Sequence, residues 1–102
     1  MTEARIQADI LRYLRRRKDC FAFKAEVSSE RGTPDIICCR AGRFYAFEVK
    51  TQKGKLSALQ NAQLKRIKNA GGLAEVVRCI EDVKKLLESE GRNGDPKERK
   101  AL

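Results

Sequence analysis

One short segment of the sequence combines a strand pattern with charged residues that could do chemistry. The segment YAFEVKTQKG, Tyr45 to Gly54, begins as an apolar strand but carries Glu48 and Lys50 two residues apart. Because side chains alternate across a strand, Glu48 and Lys50 share one face with Ala46, and the larger apolar side chains occupy the other face. A carboxylate and an ammonium placed in this way are either solvated by water or part of a reactive site.

A second carboxylate, Asp35, opens the preceding strand candidate DIICCR. Ala41 and Gly42 lie between the two segments and indicate a tight turn, which would pair them as an antiparallel hairpin. A two-residue turn places Asp35 opposite Glu48, with β-carbons about 4.5–5.5 Å apart, whereas a longer loop or a bulge shifts the pairing by one residue. The sequence therefore favours two adjacent carboxylates but leaves the register open.

Two carboxylates at this separation either share a proton or bind a cation, because like charges directly across a sheet repel each other. Mg²⁺ suits such a site, since it commonly takes one or two carboxylates together with water and phosphate oxygens. A lysine beside the ion can orient or deprotonate an attacking water, or neutralise charge that develops on a phosphate. The alternative is that Glu48 and Lys50 form a solvated pair on a half-exposed strand.

The charge balance of the chain indicates a polyanionic partner. The 102 residues include 23 Lys and Arg against 14 Asp and Glu, which gives a net charge of +9 with no histidine. Nucleic acid is the commonest partner of such a chain, followed by anionic lipid, and a purely solubilising surface charge is the alternative. No apolar run approaches the roughly 18 residues of a membrane span, and no secretory leader is visible, so we expect an intracellular protein with no membrane partner.

The cysteines of the chain form no C-x-x-C pair; they are Cys20, Cys38, Cys39 and Cys79. The absence of histidine excludes the usual mixed zinc sites. Cys38 and Cys39 stand in an apolar run, where cysteine commonly acts as a small hydrophobe. We expect buried, reduced thiols, with structural zinc or a disulfide as the alternative.

The elements that must position these groups follow from apolar periodicity and turn residues. A first helix begins after the N-cap candidate Thr2, and Gly71-Gly72 ends a second one. The second helix has an apolar stripe made of Leu56, Leu59, Leu64 and Ile67. We predict, in order, a helix over 3–17, strands over 20–27, 35–40 and 43–50, a helix over 56–72, a strand over 73–78 and a helix over 80–90. This order describes one α/β domain over residues 1–90, with a mixed sheet flanked by helices, followed by a disordered basic tail over 91–102.

These motifs together resemble a known family. Pro34-Asp35, followed thirteen residues beyond Asp35 by Glu48-x-Lys50, resembles the PD-(D/E)xK signature of the restriction-endonuclease-like nucleases, whose core has the same αβββαβ order. The longer segment GTPDIICCRAGRFYAFEVKTQKGKLSALQ is similar to the VRR-NUC domain in its small standalone form, known mostly from phages and bacteria. The resemblance covers residues 3–87 and implies a restriction-endonuclease-like fold with an additional C-terminal helix.

The resemblance implies a role for each residue that matches the family motif. The implied metal ligands are the carboxylates of Glu3, Asp35 and Glu48 and the backbone carbonyl of Val49. The implied catalytic residues are Asp35, Glu48, Lys50 as the catalytic lysine, and Gln60 on the helix after the active-site strand. From residue chemistry alone, Gln60 could instead be a buried side chain satisfied by backbone groups, and Glu3 a first-turn acid that complements the helix dipole.

Basic residues near these motifs are candidates for phosphate contacts. Lys53 and Lys55 follow Lys50 in a loop, and Arg31 lies in the loop before Asp35. The basic run at the end of the first helix adds Arg15, Arg16 and Arg17, although cations there also suit the helix dipole. The chain has no Trp and few other aromatic residues, so we expect recognition through phosphates and shape rather than base stacking.

The resemblance also implies an activity and partners. It indicates a metal-dependent endonuclease that hydrolyses DNA phosphodiester bonds with Mg²⁺ or Mn²⁺ and acts as a homodimer on branched DNA such as four-way junctions. A dimer suits this chemistry because resolving a junction needs two symmetrically placed cuts. We expect no organic cofactor. Two alternatives stay open: a nucleic-acid-binding module that keeps the fold but cuts nothing, and a basic adaptor protein whose carboxylates are structural.

Overall fold

The computed structural model describes residues 1–26 and 30–90, and this part of the chain forms three helices and four strands. Along the chain they are α1 (Glu3–Arg16), β1 (Cys20–Lys24), β2 (Ile36–Arg40), β3 (Arg43–Val49), α2 (Ala58–Asn69), β4 (Leu73–Val77) and α3 (Ile80–Ser89). The predicted element order and the α/β class are confirmed. Strand β1 ends at Lys24. The predicted strand extended to Val27, which lies outside the described residues, as does the predicted tail over 91–102. None of the described helices combines the length and apolar character needed to span a bilayer.

The strands form one mixed sheet in the order β1-β2-β3-β4. Strands β1, β2 and β3 are antiparallel neighbours, and β4 pairs parallel with β3 after the crossover through α2. Ala41 and Gly42 form the two-residue turn between β2 and β3, with φ angles of 49° and 83°, as the primed hairpin turns require. Arg40 pairs with Arg43, so the register that places Asp35 level with Glu48 is confirmed.

The two faces of the sheet carry different layers. Helices α1 and α3 cover one face, where the buried ring of Tyr45 lies in the main hydrophobic core. Helix α2 covers part of the other face, where Leu64 packs against Ala46. Because side chains alternate along β3, Glu48 and Lys50 lie on the same face as Ala46, as predicted, and this is the α2 side of the sheet.

Helix α2 differs from its predicted apolar stripe. Leu64 is buried, but Leu59 is 45% exposed, and Leu56 precedes the helix instead of lying within it. The polar residue Gln63 is buried beside Leu64. Of the other helices and strands in the described structure, α2 contacts only β3 and β4, so a narrow stripe of the helix meets the sheet, and Leu59 instead lies against the loop at Gly32.

The cysteines are free thiols, as predicted, but they are not all buried. Cys38 is fully buried in the main core, Cys20 and Cys79 are half-buried, and Cys39 is exposed, so the predicted burial is confirmed at Cys38 and wrong at Cys39. Alternation along β2 directs Cys39 toward the α2 side of the sheet. Helix α2 makes no contact with β2 in the described structure, so nothing from α2 covers this thiol.

Gly32 is the position where the loop before Asp35 depends on a missing side chain. Its φ of +78° lies in the left-handed region, which glycine adopts without a steric penalty. A β-carbon at Gly32 would lie 2.8 Å from Cγ of Leu59 and 3.2 Å from its backbone carbonyl. Gly71, which ends α2, also has a left-handed φ of +99°, but a β-carbon there would meet nothing within 4 Å.

We expect Gly32→Ala to lower the free energy of unfolding more than Gly71→Ala does. A left-handed alanine costs about 1–2 kcal/mol at either position, and at Gly32 the contact with Leu59 adds about 1–3 kcal/mol of overpacking. Urea unfolding of the two variants and the parent protein measures the difference. Equal losses at the two positions would show that the close approach of Gly32 to α2 has no energetic weight.

Candidate active site

Asp35 is the residue immediately before β2. Its backbone carbonyl accepts a hydrogen bond from the N–H of Ala25 at 2.8 Å, which extends the β1–β2 ladder by one step. Its carboxylate Oδ2 accepts the backbone N–H of Val49 at 2.8 Å. Pro34, the residue before Asp35, is buried. Its burial and the backbone hydrogen bond to Ala25 fix the backbone position of Asp35. The carboxylate therefore lies at the end of β3, where Glu48 is located.

Glu48 is a buried carboxylate whose pKa is strongly raised. It is only 2% exposed, and its Oε2 accepts a hydrogen bond from Nε2 of Gln60 at 3.1 Å. Its Oε1 is buried and has no hydrogen-bond partner among the described residues. The pKa of Glu48 is raised from 4.5 to about 8: burial is the largest cause, the negative charge of Asp35 and a side-chain hydrogen bond with Asp35 act in the same direction, and the ammonium of Lys50 opposes the change.

Gln60 is held in place by a capping box at the start of α2. The hydroxyl of Ser57 accepts the backbone N–H of Gln60 at 3.0 Å, and Oε1 of Gln60 accepts the backbone N–H of Ser57 at 3.0 Å. With Oε1 used in this way, Nε2 is directed to Glu48. The S-x-x-Q spacing is a recognisable N-terminal helix signal, so this second role of Gln60 has a signal in the sequence that the predictions above do not use.

Lys50 follows β3 directly and stays close to Glu48. Its side chain is 14% exposed, and Nζ lies 3.9 Å from Oε2 of Glu48. That separation is too long for a hydrogen bond, so the two groups interact by charge alone. The backbone N–H of Lys50 donates to the carbonyl of Val77 at 3.1 Å, which ties the residue to the parallel strand β4.

Glu3 has a weaker electrostatic effect on Glu48 than Asp35 has, so Asp35 and Glu48 alone form an acid pair. Glu3 is the first residue of α1, and its charge is a minor contribution to the raised pKa of Glu48. Within residues 1–26 and 30–90, no three acidic or cysteine side chains gather closely enough to hold a metal ion together. The described geometry thus unites Asp35, Glu48, Lys50 and Gln60, with Val49 between the acid and the lysine.

These groups fit a hard divalent cation. Asp35 and Glu48 offer carboxylate oxygens, Val49 offers a backbone carbonyl at the same strand end, and one oxygen of Glu48 has no donor in the described structure. Mg²⁺ and similar ions prefer oxygen ligands and often use only one or two protein carboxylates. A two-carboxylate site with a free buried oxygen meets that requirement.

The candidate phosphate-binding residues fall into two regions. Lys53 and Lys55 are exposed in the segment after Lys50, and Arg31 is exposed in the loop before Asp35. The cluster of Arg15, Arg16 and Arg17 lies at the opposite end of the 14-residue helix α1 from Glu3, which corresponds to about 20 Å. Arg17 is already engaged there, since its guanidinium donates to both carboxylate oxygens of Asp19, at 2.9 and 2.8 Å.

A groove near the site does not contain the acid pair. It has a volume of about 540 Å³ and lies between α2 and the loop before β2, with Pro34, Phe44 and Arg66 among its lining residues. Asp35, Glu48 and Lys50 do not line it. The groups that can do chemistry therefore lie next to this groove and not in it.

The raised pKa of Glu48 predicts how stability depends on pH in the absence of metal. The folded state keeps the proton of Glu48 up to about pH 8, whereas the unfolded chain releases it near pH 4.5, so stability should fall as the pH rises between these values. The slope for one group cannot exceed about 1.4 kcal/mol per pH unit. Because the chain has no histidine, few other side chains titrate in this window.

Chemical denaturation in EDTA at several pH values between 4.5 and 8 measures this slope. Glu48→Gln keeps an oxygen that can accept the Gln60 hydrogen bond but cannot ionise, so we expect the slope to disappear in this variant. A parent protein whose stability rises across this window would contradict the assignment.

Comparisons with known proteins relate the chain to one family. The family model of the VRR-NUC domain matches residues 2–80. A solved structure described as a VRR_NUC domain protein has a TM-score of 0.74 at 16% identity, covering 90% of this chain and 89% of that one. Another, described as a VRR_NUC domain, has a TM-score of 0.72 at 24% identity and covers 84% of this chain and 94% of that one. No curated protein matches the sequence.

The family match includes every residue of the acid pair and its supporting groups, from Glu3 to Gln60. The two solved structures share the fold of helices on a four-stranded mixed sheet. The chain therefore belongs to the VRR-NUC domain family, a nuclease-type domain.

Proposed function

We propose that the protein is a metal-dependent endonuclease that hydrolyses DNA phosphodiester bonds, with Mg²⁺ or Mn²⁺ as its cofactor. The observation that carries this proposal is the buried Oε1 of Glu48, which has no donor in the described structure and belongs to a carboxylate that interacts with Asp35. Without metal, the raised pKa shows that a proton relieves this carboxyl below about pH 8; a buried carboxylate oxygen that has lost the proton costs free energy unless a cation or a donor satisfies it. A divalent cation would satisfy it and would also neutralise the repulsion between the two acids.

Each residue near the acid pair has a distinct part in this proposal. Asp35, Glu48 and the carbonyl of Val49 would hold the ion, and Glu3 is a further candidate ligand from the start of α1. When bound, such an ion lowers the pKa of a water molecule and neutralises phosphate oxygens. Gln60 binds one oxygen of Glu48 and leaves the other available, so it positions the carboxylate without occupying it.

Lys50 is the proposed catalytic lysine. Because its Nζ is 3.9 Å from Glu48, its three N–H donors are not used by that carboxylate. They can therefore orient the attacking water or donate to the phosphate as negative charge develops on it, whereas deprotonation of the water would require the neutral amine of Lys50. The low exposure of the side chain strengthens both interactions, since nearby water screens them less.

The charge of the protein supports DNA as the substrate. A net charge of +9 attracts the phosphate backbone. The exposed side chains of Lys53, Lys55 and Arg31 lie in the two segments that flank the acid pair in the chain. Phosphate contacts from these segments would bring the backbone of the substrate to Lys50.

We expect the purified protein to cut labelled DNA in Mg²⁺ or Mn²⁺ and not in EDTA. Lys50→Met should lower the rate of cleavage by about 100-fold or more, and Asp35→Asn should have a similar effect, while both variants still bind DNA. Lys85→Met is the matched control, since it removes an exposed lysine from α3 with the same loss of charge. If the folded protein binds DNA but cleaves it with neither Mg²⁺ nor Mn²⁺, the nuclease proposal is wrong and a non-catalytic binding module takes its place.

The same assay with single-stranded, duplex and four-way-junction DNA tests the substrate. Paired, symmetric cuts in the junction would support a preference for branched DNA. Equal cutting of every substrate would keep the active site and reject that preference.

We also propose that the active form is a homodimer. Strand β1 is at the edge of the sheet, and in the described structure its outer side pairs with no other strand. Phe21 and Phe23 of this strand are 70% and 43% exposed, with ring centroids 6.1 Å apart, on the face that α2 leaves uncovered. The carbonyl of Ala22 on this edge accepts a hydrogen bond from Nε of Arg15 at 3.4 Å, which a second copy would have to displace. An edge strand beside two exposed rings supports pairing with a second copy, because a chain of charge +9 repels its own copies over most of its surface.

We expect light scattering to give twice the mass of one chain for the parent protein and one chain for the double variant Phe21→Ser, Phe23→Ser. The rings should drive association because aromatic side chains bury large apolar areas in an interface. Phe44→Ser is the control, since Phe44 is 44% exposed but belongs to the interior strand β3. A monomeric parent protein, or a double variant that is still dimeric, would contradict this interface.

A further inference from the structure

The segment after Lys50 contains two of the candidate phosphate-binding residues. We refer to residues 51–55, which include Lys53 and Lys55, as the lysine loop. The loop contains no helix or strand, and both lysines are exposed. Its only internal backbone hydrogen bond runs from the N–H of Gly54 to the carbonyl of Thr51 at 3.1 Å. A five-residue loop with one such bond needs an external contact to keep a single shape.

Arg78, the residue after β4, provides that contact. Its Nη1 donates to the backbone carbonyl of Thr51 at 2.5 Å and to that of Gly54 at 2.7 Å, and it lies 3.3 Å from the carbonyl of Gln52. One guanidinium nitrogen thus contacts three backbone carbonyl oxygens of the lysine loop.

Arg78 is itself held in place. Its backbone N–H donates to Oδ2 of Asp82 in the first turn of α3 at 2.8 Å. The preceding residue, Val77, accepts the backbone N–H of Lys50. The guanidinium is planar and loses little freedom per hydrogen bond. Arg78 therefore connects the lysine loop to the β4–α3 junction and to the backbone of Lys50.

This contact also determines which side of the loop faces outward. The described peptide bonds are all trans, so the N–H that follows each carbonyl points in the opposite direction from it. The N–H groups of Gln52, Lys53 and Lys55 consequently point away from Arg78, and they donate to no acceptor in the described structure. The outer surface of the loop carries these donors and two ammonium groups, which makes it suited to phosphate oxygens.

We propose that Arg78 is a positioning residue that holds the lysine loop so that Lys53 and Lys55 contact a phosphate of the DNA next to the bond to be cut; this rests on the proposed function. A lysine on an unrestrained loop loses conformational entropy when it binds, and that loss weakens the contact. Arg78 removes part of this loss before the substrate arrives. It therefore acts through the two lysines and need not touch the DNA itself.

A double-mutant cycle on DNA binding tests the proposal. The variants are Arg78→Gln, the pair Lys53→Ala with Lys55→Ala, and the three substitutions together, with binding to a labelled duplex measured in EDTA at several salt concentrations. We expect Arg78→Gln to weaken binding about tenfold and to reduce the slope of log K against log salt by up to about 1.8, the value of two phosphate contacts. Adding the lysine substitutions to Arg78→Gln should weaken binding little further, because both changes remove the same contacts.

Arg12→Gln is the matched control for the lost charge, since Arg12 lies on α1 and its only hydrogen bond among the described residues is to Asp9 at 3.5 Å. Thermal unfolding of each variant checks the fold. Additive losses of affinity would overturn the proposal, since Arg78 would then act independently of the lysines. Lower thermal stability with normal DNA affinity would also overturn it, because Arg78 would then support only the fold.

The measurement distinguishes this proposal from the nuclease proposal, because it uses binding without metal. Coupled losses of affinity in a protein that no metal activates would support the role of Arg78 and reject the nuclease. Cleavage that needs Lys50, combined with additive losses of affinity, would reject the role of Arg78 and keep the nuclease.

Discussion

The candidate site depends on one electrostatic constraint, which is that the buried carboxylate of Glu48 lies beside the carboxylate of Asp35. The hairpin register enforces this arrangement from the far end of β2 and β3, where Ala41 and Gly42 close the turn with left-handed backbone angles. A slip of one residue would turn Glu48 toward the apolar core under α1 and α3. The two turn residues, although they contact neither acid, therefore decide whether a site of two carboxylates exists at all.

The structure limits the cost of this repulsion with hydrogen bonds that hold each acid at one oxygen. Asp35 accepts a backbone N–H from β3, and Glu48 accepts the amide of Gln60. Gln60 has little freedom of its own, because its other end completes the capping box with Ser57. A helix cap usually contributes about 1 kcal/mol to stability. Here the same cap also orients a carboxylate, so the start of α2 serves the fold and the site with one side chain.

Local rules were sufficient to predict the hairpin and the face on which Glu48 lies, because turn chemistry and strand alternation need no knowledge of distant parts of the chain. The predicted burial of Leu59 and Cys39 was wrong because exposure depends on how far α2 extends over the sheet, which is a tertiary property. The contact of Arg78 with the lysine loop joins residues 24 to 27 positions apart through backbone carbonyls. No residue type in the loop indicates such a contact, so the sequence could not predict it.

The incomplete coverage by α2 that misled the sequence prediction leaves the β1–β2 part of this sheet face without a helix. A longer helix over β1 and β2 would bury more apolar surface, worth about 25 cal/mol per Å², but for the proposed nuclease it would also obstruct the approach of DNA to this face. The largest buried side chains instead lie on the α1–α3 face, where Tyr45 and Phe47 pack in the main core. The main core and the acid pair thus lie on opposite faces of one sheet. Strand β3 connects them, because its alternating side chains enter the core on one face and the acid pair on the other.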